Sequence, residues 1–244
     1  MNKGFSICFL GIDGSGKSTL AKYLCRELKN RQYDVSYVWW LQGNQSLVRR
    51  TLKAVGPSRY TKLEMDAKQQ KVVTRGGRIA NRVFTSLFPI ILVADYLRFG
   101  LMNAWLPRLV ASDKVIIFDR FMWDVILAIS REFEFTPARR LKLFQLCSAL
   151  LPKPDLVFTI EVPPEVCYLR KKQEIASLQE SYDNWEMYQA FRPLLAQLTK
   201  GRIMQVDNTR NQQDVQEEIL ATTLELLEGN GHYGRSGRQC GRPY

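Results

Sequence analysis

The chain has 244 residues, of which 45% are hydrophobic and 24% charged, as is typical of a folded globular protein. Its five cysteines are scattered and its single histidine lies near the C-terminal end, which argues against a zinc site, a disulfide framework and histidine-based catalysis. The net charge of +11 is uneven, because residues 45–84 carry ten Lys and Arg against two acids.

Strand-like and helix-like patterns alternate along the chain. Five short apolar or β-rich runs are predicted to be strands, at residues 5–10, 35–40, 114–118, 156–160 and 202–206. The clearest helical patterns cover residues 17–30, 165–175, 182–199 and 214–228. Because apolar strands separated by helices favour a parallel sheet covered on both faces, we predict an α/β fold with a doubly wound parallel sheet of about five strands.

Three segments complete the predicted organisation. Residues 1–228 are predicted to form a single domain that carries a helical insertion at about 45–110, and 229–244 a flexible, basic, Gly-rich tail. The apolar stretch 87–106 contains two charges near its middle, which favours a buried core helix over a transmembrane span. A membrane-peripheral or dimer-forming helix is the alternative. The N-terminus shows no cleavable signal, so a cytoplasmic location is expected.

The segment GIDGSGKST, residues 11–19, matches the pattern G-x-x-x-x-G-K-[ST] between a predicted strand and a predicted helix. Such a loop wraps backbone N–H groups around an anion, and the following helix directs its N-terminus at the same anion. Lys17 would reach the β- and γ-phosphates of ATP, and the Ser18 hydroxyl would bind Mg²⁺. The predicted nucleotide-binding residues of this loop are Gly11, Asp13, Gly14, Ser15, Gly16, Lys17, Ser18 and Thr19.

Asp119 and Arg120 follow the predicted strand at 114–118. An aspartate at the carboxyl end of a buried parallel strand lies where such sheets bind ligands, so Asp119 could hold Mg²⁺ through water or orient the attacking group. Arg120 needs an anion if it is buried. The alternative is an internal ion pair between Asp119 and Arg120.

Four segments, FLGIDGSGKSTLAKYL, VIIFDR, PKPDLVFTIEVPPEVCYLRKK and VDNTRNQQDVQEEI, resemble successive landmarks of thymidylate kinase-like nucleoside monophosphate kinases. The match spans roughly residues 5–228 and is poor between 40 and 90. The resemblance implies a P-loop kinase fold, transfer of the γ-phosphate of Mg-ATP to a nucleoside monophosphate in nucleotide biosynthesis, and a homodimer.

The resemblance also implies roles for single residues. Asp13 would approach the sugar of the acceptor, and Arg120 would grip its phosphate. Arg170, beside Lys171 and Lys172, would be the lid cation that stabilises the migrating phosphoryl group. Asn208, Thr209 and Arg210 would line the adenine pocket.

The acceptor side departs from the family pattern. Trp39-Trp40-Leu41-Gln42-Gly43 stands where T-R-E-P-G-G is usual, Tyr96 follows Ala94-Asp95 where an arginine is usual, and Phe121-Met122-Trp123-Asp124 replaces the base-reading residues. Asp95 and Arg98 are the candidate replacements for acceptor binding. Further candidates are the insertion arginines Arg49, Arg50, Arg75, Arg78 and Arg82, and base stacking by Trp39, Trp40 or Trp123, for which core packing is the alternative.

Three functions stay open on sequence grounds. The favoured one is a thymidylate kinase-type enzyme acting on dTMP or a related nucleotide. The second is a kinase of a larger lipid- or sugar-linked phosphorylated metabolite, because the net positive charge of the basic insertion exceeds the negative charge of one monophosphate. A non-catalytic ATP-dependent protein that binds nucleic acid or membrane is the least favoured.

Overall fold

The computed structural model describes residues 4–40, 89–105, 114–199 and 201–229. The protein chain divides into two compact units. The first, here called the sheet unit, comprises Met1–Trp39, Asn103–Phe121 and Pro152–Tyr244. The second, the helical unit, comprises Trp40–Met102 and Met122–Leu151.

The sheet unit is built on five parallel strands in the order β2-β3-β1-β4-β5. They are β1 Phe5–Leu10, β2 Val35–Trp39, β3 Val115–Asp119, β4 Leu156–Glu161 and β5 Arg202–Asp207. The three central strands are almost wholly buried, as their continuous apolar sequences require. This arrangement confirms the predicted fold class.

Seven helices lie in the described residues: α1 Lys17–Asn30, α2 over 89–100, α3 Met122–Glu132, α4 Pro137–Leu150, α5 Pro164–Arg170, α6 Leu178–Leu198 and α7 Gln212–Gly229. A π-helical turn, Leu101–Trp105, follows α2. Helix α6 begins four residues before the predicted start because Ser177 caps it, accepting from the Glu180 N–H at 3.1 Å while Glu180 accepts from the Ala176 N–H.

The helical unit buries aromatic side chains. Trp40 is fully buried and meets Phe99 edge to face, with 5.9 Å between ring centroids. Trp123 is equally buried, and its indole N–H donates to the Ser148 hydroxyl at 2.9 Å. Core packing is therefore what Trp40 and Trp123 do in this structure, in preference to base stacking.

Helix α2 carries the apolar stretch singled out in the sequence. It buries Leu92, Val93 and Tyr96, whereas Ile90 and Ile91 are about half exposed. Among the described residues, no helix combines the length and hydropathy needed to cross a bilayer. Most of the predicted insertion and nearly all of the predicted tail lie outside the described residues, so the predicted domain boundaries stay a prediction.

Candidate functional site

The loop between β1 and α1 is shaped by its glycines. Gly14 and Gly16 have φ of 87° and 92°, a left-handed backbone that favours glycine. A Cβ at Gly14 would lie 2.4 Å from the Cys167 carbonyl oxygen, and one at Gly16 would lie 2.4 Å from Nδ2 of Asn208. Glycine is therefore required at both positions, because the backbone is left-handed and because Cys167 and Asn208 pack directly against the loop.

Helix α1 starts at this loop without a side-chain cap, because its N-cap residue is Gly16. The N–H groups of its first turn have no partners within the helix and form a natural site for an anion. Lys17 is buried there, with Nζ donating to the Ile12 carbonyl at 2.7 Å. Ser18 is half-buried and Thr19 exposed in the same turn. Together these groups can hold phosphate.

Asp13 is the anionic member of the loop. Its Oδ1 lies 3.6 Å from Lys17 Nζ and pairs with the guanidinium of Arg120. Burial disfavours the charge of this carboxylate, but Lys17, Arg120 and Lys171 outweigh that effect and hold the pKa of Asp13 at about 2. Asp13 is thus an anion at every physiological pH.

Arg120 follows β3 in a left-handed conformation, with φ of 71°, which is uncommon for a residue with a side chain. Its partner is Asp13, 107 residues away in sequence, rather than the neighbouring Asp119 that the sequence left as an alternative. The structure therefore brings together the two residues expected to contact the acceptor.

Asp119 ends β3 beside the loop, since the sheet register pairs it with Phe9 of β1. Its side chain is buried, and Oδ2 accepts a hydrogen bond from the Tyr37 hydroxyl at 2.6 Å. Burial raises the pKa of Tyr37, and the hydrogen bond to Asp119 raises it further. Sequence reasoning missed Tyr37, because a tyrosine in a short β-rich run gives no signal of a cross-strand partner.

The other oxygen of Asp119, Oδ1, is buried without a hydrogen-bond partner among the described residues. A buried carboxylate oxygen of this kind suits a hard cation or a water bound to one. No group of three or more His, Cys, Asp or Glu is placed to hold a metal in the parts of the chain that the structure describes. Asp119 and Ser18 fit Mg²⁺, which commonly takes one or two carboxylates, water and substrate phosphate.

A second cluster follows β4 and β5. Asn208 is buried and its side-chain Nδ2 donates to the Ser15 carbonyl at 2.7 Å, while its backbone carbonyl accepts from Arg170 Nη2 at 3.0 Å. The structure thus places Arg170, the predicted lid cation, next to Asn208, which contacts the glycine loop. Its neighbour Lys171 pairs with Glu174 instead.

Thr209 and Arg210, predicted to line the adenine pocket, are exposed after β5. Both the N–H and the hydroxyl of Thr209 donate to Asp207 Oδ1, and these bonds lower the pKa of Asp207. Arg210 pairs with Glu218. These contacts hold the turn after β5 to itself and to α7.

Two of the remaining acceptor candidates, Asp95 and Arg98, belong to the helical unit. Arg98 donates to Asp95 Oδ1 from both Nε and Nη2, each at 3.2 Å, and Asp95 is buried. Tyr96, which replaces the usual arginine, is also buried. In the sheet unit, Trp39 is 41% exposed at the end of β2. The insertion arginines, Arg49, Arg50, Arg75, Arg78 and Arg82, lie outside the described residues.

Comparison with known proteins finds one recurrent similarity. A family model described as thymidylate kinase matches residues 101–219. The chain is 26% identical over 233 residues to a thymidylate kinase of Ligilactobacillus salivarius (strain UCC118), with 92% of this chain and 98% of that protein covered. It is 25% identical over 240 residues to a thymidylate kinase of Exiguobacterium sp. (strain ATCC BAA-1283 / AT1b), with coverage of 93% and 98%. The family model does not reach the glycine loop.

Proposed function

We propose that this chain, which is similar to thymidylate kinases, transfers the γ-phosphate of ATP to a nucleoside monophosphate, with dTMP as the first candidate. The observation that carries the proposal is the pairing of two features at one edge of the sheet. One is the uncapped start of α1 with the buried Lys17, and the other is the buried Asp119 with an unpartnered oxygen.

Binding of the donor falls to the loop and α1. The first-turn N–H groups and Lys17 supply positive charge for the β- and γ-phosphates, and Ser18 and Asp119 would hold Mg²⁺ there, with Asp119 acting through a bound water. When bound, Mg²⁺ neutralises charge that develops on the phosphate oxygens. Tyr37 keeps Asp119 oriented by donating to its other oxygen. Phosphoryl transfer depends mainly on such positioning and charge neutralisation.

Binding of the acceptor begins at the ion pair of Asp13 and Arg120. A monophosphate carries up to two negative charges and competes with Asp13 for the Arg120 guanidinium. Asp13 would then accept hydrogen bonds from the acceptor's sugar. Arg170, next to the loop through the Asn208 carbonyl, would place its charge on the migrating phosphoryl group.

The assay is ADP formation from Mg-ATP with a panel of ribo- and deoxynucleoside monophosphates that includes dTMP. We expect one of them to stimulate turnover strongly. Slow hydrolysis with every nucleotide would contradict the proposal and favour a different phosphorylated acceptor, in keeping with the departures from the family pattern at residues 39–43 and 121–124.

Two variants separate the donor and acceptor roles. Lys17→Ala should abolish turnover while the protein stays folded, whereas Lys22→Ala, on the exposed face of the same helix, should leave it unchanged. Arg120→Ala should mainly raise the KM of the acceptor, because a charge-assisted bidentate contact is lost. An unchanged acceptor KM would make Arg120 a structural partner of Asp13.

The homodimer implied by the resemblance stays part of this proposal. Light scattering on the purified chain would give its mass in solution, and a monomer at working concentrations would contradict that part alone.

A further inference from the structure

Asn208 joins three segments that are far apart in sequence. Its side chain donates to the Ser15 carbonyl in the glycine loop, its backbone N–H donates to the Glu161 carbonyl at the end of β4 at 3.1 Å, and its backbone carbonyl accepts from Arg170. The residue is 9% exposed, so these bonds are shielded from water. Ser15 and Asn208 are separated by 193 positions, and the contact is made by the fold alone.

The contact with Ser15 sets the direction of one peptide group. A peptide is planar and trans, so its C=O and N–H point in opposite directions. Because the Ser15 carbonyl points at Asn208, the Gly16 N–H on the same peptide points away from Asn208. A Cβ added at Gly16 would lie 2.4 Å from Asn208 Nδ2, so the Asn208 side chain fills the space on that side of the loop.

We propose that Asn208 is a positioning residue for the nucleotide: its side-chain amide turns the Gly16 N–H toward the bound phosphates, and its backbone carbonyl holds Arg170 beside the same loop. The proposal rests on the proposed function, because it takes the loop as the phosphate site. Asn208 touches no reacting atom and acts through Ser15, Gly16 and Arg170.

An amide side chain is suited to this position. An aspartate would place a carboxylate oxygen against the Ser15 carbonyl, and the two acceptors would repel each other. An alanine would leave the Ser15 carbonyl without its donor, so that the peptide could rotate and the Gly16 N–H would lose its orientation. A serine keeps a donor on a shorter side chain.

The test measures binding of ADP in Mg²⁺ buffer by calorimetry for the wild-type chain, Asn208→Ala and Asn208→Asp. Loss of one oriented hydrogen bond should raise the Kd of ADP by about tenfold in Asn208→Ala, with Asn208→Asp weaker still. The KM of ATP should rise in parallel, and the acceptor KM should stay unchanged. Asn208→Ser, which retains a donor, should lie between wild type and alanine, and it also serves if alanine prevents folding.

Asn211→Ala is the matched control. Asn211 lies three positions further on and accepts from the Gln213 N–H at 2.8 Å at the start of α7, so its loss weakens a helix cap without touching the loop. It should lower stability and leave the Kd of ADP unchanged. A purely structural role for Asn208 would behave the same way, reducing the fraction of binding-competent protein but not the Kd.

An ADP Kd within twofold of wild type in both Asn208→Ala and Asn208→Ser would overturn the proposal. A wild-type chain that binds ADP yet phosphorylates no nucleotide would refute the proposed acceptor and leave this test intact. A wild-type chain that does not bind ADP would refute both.

Discussion

Replacing Gly16 with alanine tests how closely the glycine loop packs against Asn208. The backbone of Gly16 is left-handed, and alanine in that conformation costs about 1–2 kcal/mol. The added Cβ would also lie 2.4 Å from Asn208 Nδ2, so Asn208 must move and lose its buried bond to Ser15. A lost buried hydrogen bond costs about 1–3 kcal/mol.

The two contributions together predict a fall of roughly 2–5 kcal/mol in the free energy of unfolding, a large share of the ~5–15 kcal/mol of a typical domain. Gly229→Ala is the control, since a Cβ at that helical position meets nothing within 4 Å. It should be neutral or slightly stabilising because alanine favours helix. Urea unfolding followed by circular dichroism measures both variants.

A double-mutant cycle separates the clash from the backbone strain. In Gly16→Ala combined with Asn208→Ala, the obstructing side chain is gone and the bond to Ser15 is lost only once. The double variant should therefore be more stable than the sum of the single effects by about 1 kcal/mol or more. Additivity to within about 0.5 kcal/mol would refute the reasoning, because it would mean that Gly16 and Asn208 do not compete for the same space.

Two further predictions concern Asp13 and Tyr37. The Asp13 pKa of about 2 is below the ~3.9 of an unfolded aspartate, so its stabilising effect is present above about pH 4 and is lost as pH falls toward 2. Because the carboxylate is 42% exposed, we expect Asp13→Asn to lower the free energy of unfolding by only about 1 kcal/mol at pH 7, and by less at pH 3. An equal difference at the two pH values in urea titrations would contradict the ion-pair assignment. Tyr37→Phe removes the donor to buried Asp119 and should cost about 1–3 kcal/mol in Mg²⁺-free urea unfolding, against little for Tyr33→Phe; equal losses would count against this bond.

The amino-acid sequence was sufficient for the features that depend on local pattern. Strand β1 and helix α1 occupy the residues predicted for them, and the other strands agree to within a residue or two. Apolar runs and the glycine loop carry this information because burial and backbone conformation act over a few neighbouring residues. The predicted start of α6 at residue 182 was wrong by four residues, because the capping-box spacing of Ser177-Leu178-Gln179-Glu180 was not used.

Only the tertiary structure decided which polar groups meet. Arg120 pairs with Asp13, Tyr37 with Asp119 and Asn208 with Ser15, over separations of 107, 82 and 193 residues. Strand order and loop packing create these contacts, and neither periodicity nor spacing along the chain encodes them. The burial of Trp40 and Trp123 was decided in the same way, because an aromatic side chain serves equally well in a core or against a base until its neighbours are known.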